Sequence, residues 1–168
     1  MSFAKSPALA PTELSDALQT ALINVCENAY FVFVEACDGR EFEELVRTSG
    51  ETSTPWLRAT VHFTGETTGH VEIAMPERLG AWLVTSLLGM APEEILSPHQ
   101  LSDGVAEFTN MVCGAWLSNN LSDETLFTLH APQVSPVAPG WTPLNQPQDD
   151  GWRRVSMNDM PMQIRARW

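Results

Sequence analysis

The sequence is short of positive charge. Its 168 residues carry 9 Lys and Arg against 21 Asp and Glu, a formal net charge of −12, and Lys5 is the single lysine. No Lys or Arg occurs between Arg78 and Arg153. Nucleic-acid binding needs a basic surface that neutralises phosphates, and a site for a free phosphorylated metabolite normally offers Arg or Lys, so both functions are excluded. An acidic surface instead suits a partner that presents lysine or a bound divalent cation, although acidity also simply keeps a protein soluble.

Long apolar runs and a cysteine framework are also missing. The longest apolar runs, Ala29 to Val34 and Ala81 to Leu88, are shorter than the ~20 residues that span a bilayer. Cys26, Cys37 and Cys113 are an odd number without framework spacing, which predicts reduced thiols. We see no signal-peptide pattern at the N-terminus. We therefore expect a cytoplasmic protein with no membrane contact.

Several catalytic and metal-binding patterns are absent. The sequence has no Gly-rich phosphate loop, no serine nucleophile elbow and no C-x-x-C pair. His62 and His70 fall on adjacent predicted strands and could be neighbours, but further ligands at zinc spacing are missing. We therefore expect no metal site and no cofactor bound by this chain.

The length predicts one domain at residues 12–168, behind a flexible leader at residues 1–11. Apolar residues at helical spacing, from Leu14 to Ala29, predict a first helix over about residues 13–35. The second half of this segment is rich in β-forming residues, which leaves the end of the helix open. Residues 40–55 are polar, and we expect them to be irregular with at most a short edge strand.

The rest of the chain alternates between strand and helix patterns. These patterns predict a mixed α/β structure of the α+β type, in which a sheet packs against helices. Residues 138–151 are rich in Pro, Gly, Gln and Asp and predict a loop. The other predicted elements are a hairpin of strands at 56–64 and 70–75, a helix from Pro76 to Leu88, a long helix from about Pro98 to Asn120, and strands at 126–137, 152–157 and 162–168.

The long helix is the best-marked element. Ser97 is its predicted N-cap, Pro98 takes the first helical position and Gln100 follows three residues after the cap, which is a capping box. Its apolar residues are spaced by four and three, which predicts one buried stripe formed by Leu101, Val105, Phe108, Val112 and Ala115.

The opposite face of that helix carries polar residues and a gap. At 100° per residue, Asp103, Glu107, Asn110 and Gly114 lie within a wedge of about 60°. Each glycine inside a helix costs ~1 kcal/mol relative to alanine. We therefore expect a structural reason for Gly104 and Gly114. Each glycine either lets another backbone approach closely or packs against a neighbouring element.

The pair formed by Glu107 and Asn110 is the single Glu-x-x-Asn pattern in the sequence. With 14 Glu and 7 Asn among 168 residues, about 0.6 such pairs are expected by chance, so the pattern alone has little specificity. A solvated polar face is the simpler interpretation. The position opposite the buried stripe and the wider pattern around the pair favour a functional one.

That wider pattern resembles a known family. Asp103-x3-Glu107-x2-Asn110, followed about twenty residues later by Ala131-Pro132, resembles the signature of the CheX/CheC/FliY phosphatases, and it is most similar to that of CheX. The resemblance covers roughly residues 13–137. It implies a CheC-like fold, in which a mixed or antiparallel sheet has long helices packed on one side.

The resemblance also implies an activity. The family hydrolyses the aspartyl phosphate of a CheY-like receiver domain, and the receiver supplies the Mg²⁺ and a lysine. Carried over by position, Asn110 would orient the attacking water and Glu107 would pair with that lysine. Asp103, Gly114 and Pro132 would support or dock the helix. A single motif implies one active site per chain, as in CheX. Because CheX is a dimer, the resemblance also implies a homodimer.

A non-catalytic alternative stays open. The same scaffold resembles the middle domains of flagellar switch proteins, which are interaction modules. The presence of both Glu107 and Asn110 favours the phosphatase, because a pure scaffold has no need of that pair.

Overall fold

The computed structural model describes residues 11–91, 94, 96–120, 126–147 and 151–168. Residues 1–10 of the predicted leader lie outside the described residues, and residue 11 already belongs to the first helix. Helices and strands are mixed along the chain, as predicted. In order they are α1 (Pro11–Val25), a π-helical turn (Cys26–Tyr30), β1 (Val34–Cys37), α2 (Gly39–Thr48), β2 (Trp56–Thr64), β3 (Gly69–Pro76), α3 (Glu77–Leu88), α4 (Pro98–Asn120), β4 (Thr128–Leu129), β5 (Gln133–Pro136), a 3₁₀ turn (Pro143–Asn145), β6 (Arg153–Met157) and β7 (Met160–Arg167).

The seven strands form one antiparallel sheet. Its order is β1-β6-β7-β3-β2, and β4 and β5 both pair with the remaining edge of β2. The predicted β2–β3 hairpin is confirmed, with Val61 opposite Val71. The two final strands are also confirmed. They are joined at Asn158 and Asp159, whose positive φ values of 49° and 56° fit a two-residue hairpin loop.

Side-chain alternation gives the sheet two buried faces. One face meets α1, α3 and α4 in the main core, which includes Leu22, Val61, Leu83 and Phe108. The other face forms a smaller core with α2, built from Phe42, Val46, Trp56, Ala74 and Trp152. The long helices therefore pack on one side, as the CheC-like resemblance implies, and the short α2 covers part of the other. None of the described helices combines the length and apolar character needed to cross a membrane.

The predicted first helix ends earlier than expected. α1 stops at Val25, and the π-helical turn carries the chain only to Tyr30. Phe31 then turns the backbone into the left-handed region, and Val34 begins β1. The β-forming residues of this segment pair with β6, Val34 lying opposite Met157, and this pairing prevails over the helical spacing.

The prediction of irregular structure at residues 40–55 was wrong for most of that range. α2 begins after Asp38, whose carboxylate accepts a hydrogen bond from the Glu41 N–H at 2.8 Å. The Glu41 carboxylate accepts one from the Asp38 N–H at 2.9 Å, which completes a capping box. Phe42 and Val46, four residues apart, are buried beneath this helix.

The predicted strand at residues 126–137 is interrupted. Its two parts are β4 and β5, which pair with different stretches of β2. His130 between them still donates its N–H to the His62 carbonyl at 2.9 Å. Pro132 has no N–H to donate, so a continuous ladder cannot form through that position.

Candidate active site

The long helix α4 provides the scaffold of the candidate site. Its predicted capping box is confirmed, because the Gln100 N–H donates to Ser97 Oγ at 3.2 Å and the Ser97 N–H donates to Gln100 Oε1 at 2.9 Å. These two hydrogen bonds fix the residue at which α4 begins. The direction in which each later side chain points from the helix axis follows from that first residue.

The buried side of α4 is close to the predicted stripe. Val105, Phe108 and Val112 are at most 1% exposed, and Leu101 and Ala115 are partly buried against the same core. The buried arc is wider than predicted, because α1 and α3 both pack on the helix. It also takes in Thr109, Cys113, Trp116 and Leu117.

The opposite face of α4 is the candidate site. Asp103 and Glu107 are exposed, and Asn110 and Gly114 are partly exposed. Within the described residues, the side chains of Glu107 and Asn110 have no hydrogen-bond or ion-pair partner. The structure therefore brings together a free carboxylate and a free carboxamide about one helical turn apart, as the sequence predicts.

Asp103 differs from these two side chains in having a local partner. Its carboxylate lies 2.9 Å from Nδ1 of His99, four residues earlier on the same helix face. Both side chains are mostly exposed, so the pair contributes little to stability. Sequence reasoning missed this contact, although the i, i+4 spacing of His99 and Asp103 on a helix was a usable signal.

Tyr30 lies next to Glu107 and was not predicted as part of the site. Its ring packs edge-on against Phe108, with ring centroids 5.4 Å apart. Its hydroxyl is buried without a hydrogen-bond partner in the described structure. Burial, with smaller effects from the Cys26 thiol and the Glu107 carboxylate, raises the pKa of Tyr30 to about 12. Nothing in the local sequence placed Tyr30 beside α4, because that position depends on where the first helix ends.

Residues 57–136, which include all of α4, match the family model described as chemotaxis phosphatase CheX. The solved structures with a similar fold include CheX from Vibrio vulnificus, with a TM-score of 0.64 and 19% identity over 95% of this chain and 98% of that chain. The fold of this chain is therefore similar to that of CheX. No curated protein matches it with significant similarity.

Two further structures extend the CheX/CheC-like comparison. A complex of CheX with CheY, BeF₃ and Mg²⁺ from Borrelia burgdorferi has a TM-score of 0.60 and 10% identity, over 96% of this chain and 100% of that chain. FliY from Thermotoga maritima has a TM-score of 0.56 and 13% identity, over 95% of this chain and 90% of that chain. At these identities the likeness shows the fold, which extends beyond the residues 13–137 covered by the sequence resemblance.

The two glycines of α4 have different environments. A Cβ on Gly104 would lie 2.3 Å from Cγ2 of Val84, so Gly104 lets α3 pack closely against α4. A Cβ on Gly114 would meet its nearest neighbour, Cδ1 of Leu129, at an ordinary 3.8 Å. Packing therefore explains Gly104 and leaves Gly114 without a structural requirement.

Pro132 lies on the sheet edge beside α4. It separates β4 from β5, and β5 contacts α4. Its ring is partly buried. Its role is therefore one of backbone shape, because it divides the edge strand that runs past α4.

Within the part of the chain that the structure describes, the other reactive groups are not assembled into a site. His62 and His70 are neighbours across the hairpin, with ring centroids 5.3 Å apart. The described residues contain no group of three His, Cys, Asp or Glu side chains that could hold a metal ion. Cys26, Cys37 and Cys113 are unpaired, and burial raises the pKa of the Cys26 and Cys113 thiols to about 12. Such thiols remain protonated and unreactive near neutral pH.

Proposed function

We propose that this protein accelerates hydrolysis of the aspartyl phosphate on a CheY-like receiver domain. The observation that carries the proposal is the outward face of α4, where Glu107 and Asn110 stand one turn apart without partners in the described structure. A helix side chain that is not used to hold its own fold is available for insertion into another protein. The match of residues 57–136 to the CheX phosphatase family supports this use.

Asn110 is the residue that we propose orients the attacking water. Phosphoryl transfer passes through a loose, metaphosphate-like transition state, which needs positioning of the nucleophile more than a strong base. The amide oxygen of Asn110 can accept a hydrogen bond from water and hold it in line with the scissile bond. Because the amide does not ionise, it adds no repulsion beside the phosphoryl anion. One well-placed polar group of this kind contributes about 10²–10³-fold in rate.

Glu107 is the residue that we propose pairs with the lysine of the receiver. α4 contains no Lys or Arg, and Glu107 has no ion-pair partner within the described residues, so its carboxylate is available to a lysine of the partner. The cations of the reaction, Mg²⁺ and lysine, then come from the receiver. The CheX of Borrelia burgdorferi was solved in complex with CheY, BeF₃ and Mg²⁺, which supports a receiver as the partner here.

The test is the decay of phosphorylated receivers from the same genome, measured with wild type and with Asn110→Ala. We expect wild type to accelerate the decay of at least one receiver, and Asn110→Ala to lose about 10²–10³-fold of that acceleration. Asn119→Ala is the matched control, because Asn119 is exposed on the same helix and lies about 180° around its axis from Asn110. The control should keep full activity.

Glu107→Gln tests the second assignment in the same assay. Removal of the charge should raise KM for the phosphorylated receiver by about 10-fold with a smaller change in kcat, because the lost contact docks the receiver. The matched control is Glu44→Gln on the exposed side of α2, across the sheet. If no receiver decays faster with wild type although one binds, the phosphatase proposal fails and the non-catalytic interaction module takes its place.

A further inference from the structure

Two phenylalanines project from the surface between the π-helical turn and β1. Phe31 and Phe33 are 87% and 82% exposed. Val32 between them packs against the main core. Because the middle residue points inward, both rings point outward and form one short apolar ridge, defined here as the Phe31/Phe33 ridge. Exposed aromatic side chains of this size are costly to leave in water unless a partner covers them.

The backbone at this ridge is also unusual. Phe31 has φ 55° and ψ 39°, in the left-handed region. The other non-glycine residues with positive φ in the described structure are Asn158 and Asp159, types that tolerate this conformation in a tight turn. Phe31 is bulky, its ring does not pack into the fold, and Gly or Asn would satisfy the same turn at lower cost. The fold therefore does not explain why a phenylalanine is presented here.

The residue before the ridge lies against the helix that carries the candidate active site. This residue, Tyr30, packs edge-on against Phe108, with ring centroids 5.4 Å apart. Phe108 follows Glu107 on α4, and the Glu107 carboxylate acts electrostatically on the Tyr30 hydroxyl. The chain thus leaves the core at Tyr30, next to Glu107, and places the two phenyl rings immediately afterwards.

We propose that the Phe31/Phe33 ridge is an apolar docking element for the receiver domain that α4 acts on, an inference that rests on the proposed function. The α4 face and the Phe31/Phe33 ridge offer two kinds of contact that suit the same partner. The carboxylates of α4, a helix that contains no Lys or Arg, attract the cationic phosphorylation site of the receiver. The neighbouring rings supply the desolvated aromatic contact that typically holds a protein partner in place. The occupant is therefore a protein with an apolar patch beside a lysine-bearing site.

The test is the double variant Phe31→Asn/Phe33→Ser, assayed for phosphorylated-receiver decay and for binding to the receiver held with BeF₃ and Mg²⁺. Asparagine tolerates the left-handed backbone, so the turn is kept while the ring is removed. We expect KM and Kd to rise about 10-fold or more while kcat stays within about 2-fold of wild type. Phe33→Ser alone, which leaves the turn untouched, should give a smaller rise in the same direction.

Leu126→Ser is the matched control. Leu126 is 88% exposed, and its backbone carbonyl lies against Gly65 in the β2–β3 turn. Loss of the Leu126 side chain should change neither KM nor Kd for the receiver.

The outcomes separate the two proposals. An active wild type whose double variant and Phe33→Ser variant keep wild-type KM and Kd overturns the docking role and leaves the phosphatase proposal standing. A wild type that neither binds nor accelerates any receiver overturns the proposed function and this inference together. If the substitutions instead dissociate a wild-type dimer, measured by sedimentation, and leave receiver affinity unchanged, the ridge contacts a second copy of the chain and the receiver is the wrong occupant.

Discussion

Phe31 carries a conformational cost that its own contacts do not offset. A left-handed backbone places Cβ close to the following carbonyl, at a cost of roughly 1–2 kcal/mol for an ordinary residue. The Phe31 ring is 87% exposed and regains almost nothing from packing. Strain of this kind is found at sites of function more often than elsewhere, so stability and function are expected to conflict at this residue.

Phe31→Gly should stabilise the protein. Glycine accepts a positive φ freely, which recovers the ~1–2 kcal/mol of strain, and its larger loss of chain entropy on folding takes back about 0.5–1 kcal/mol. We expect a net gain in unfolding free energy of about 0.5–1 kcal/mol, measured by urea denaturation.

Phe33→Gly is the comparison for this prediction. Phe33 is exposed to a similar extent, at 82%, but it is not among the residues with positive φ. Glycine at position 33 brings only the entropy cost, so Phe33→Gly should lower the unfolding free energy by about 0.5–1 kcal/mol. Equal losses at the two positions would show that Phe31 is not strained.

For single residues, the sequence predicts where Glu107 and Asn110 lie on α4 but not that Tyr30 and Phe31 are placed near that helix. The exposed positions of Glu107 and Asn110 follow from helical spacing, because α4 has a clear start and a clear buried side. The positions of Tyr30 and Phe31 do not, since they depend on the end of α1. That end is set by pairing of Val34 with Met157, more than a hundred residues away in sequence.

Among the elements, α4 and α2 show why one helix could be predicted and the other could not. Both begin with a capping box, Ser97 with Gln100 and Asp38 with Glu41. α4 then repeats its apolar residues over 23 positions, whereas α2 has 10 residues and a buried side made mainly of Phe42 and Val46. The three apolar residues of this short polar segment, Phe42, Leu45 and Val46, are too few to establish a period, so the cap was the usable signal.

The two glycines of α4 give a test of how that helix packs. Gly104→Ala places a methyl group 2.3 Å from Cγ2 and 3.0 Å from Cβ of Val84, so rotation of the valine cannot remove the clash. We expect a loss of about 1–3 kcal/mol in unfolding free energy, as in other overpacked cores.

Gly114→Ala is the internal control of this experiment. Its methyl group meets Leu129 at an ordinary 3.8 Å, so the gain in helix propensity should stabilise the protein by up to ~1 kcal/mol. Thermal or urea unfolding of both variants measures the contrast. A similar loss at both glycines would mean that helix α3 does not press on Gly104. A receiver KM that rises with Gly114→Ala would support Gly114 as a docking position.

For the whole molecule, composition gives the net charge but not where the cations lie. The arginines of the sheet are concentrated on β2, β6 and β7, whereas α1 and α4 have none. Burial alone would raise the pKa of Glu72, but a hydrogen bond from Arg165 and the charges of Arg165 and Arg58 hold it below its ordinary value. The sheet therefore neutralises charge internally, whereas Glu107 on α4 has no ion-pair partner within the described residues.

The buried thiols predict how the stability of the whole fold depends on pH. Cys26 and Cys113 are 0% exposed, and burial raises the pKa of each from 9.0 to about 12. Above pH 9 the unfolded chain loses these protons while the folded chain keeps them, so the unfolded state binds fewer protons and folding stability falls as pH rises. The decline should continue until about pH 12, where the folded thiols ionise as well.

We expect the unfolding free energy to fall by about 1 kcal/mol per buried thiol for each pH unit above 9, as measured by urea denaturation under reducing conditions at pH 8, 9 and 10. Cys113→Ala lowers stability at every pH, because it removes a buried sulfur. It should make the decline between pH 8 and pH 10 shallower by less than half, because Cys26, Cys37 and Tyr30, whose pKa values are also raised, still contribute. The slope of the pH dependence therefore separates thiol ionisation from loss of packing. An unchanged slope in Cys113→Ala would show that this thiol is not the group that titrates on unfolding.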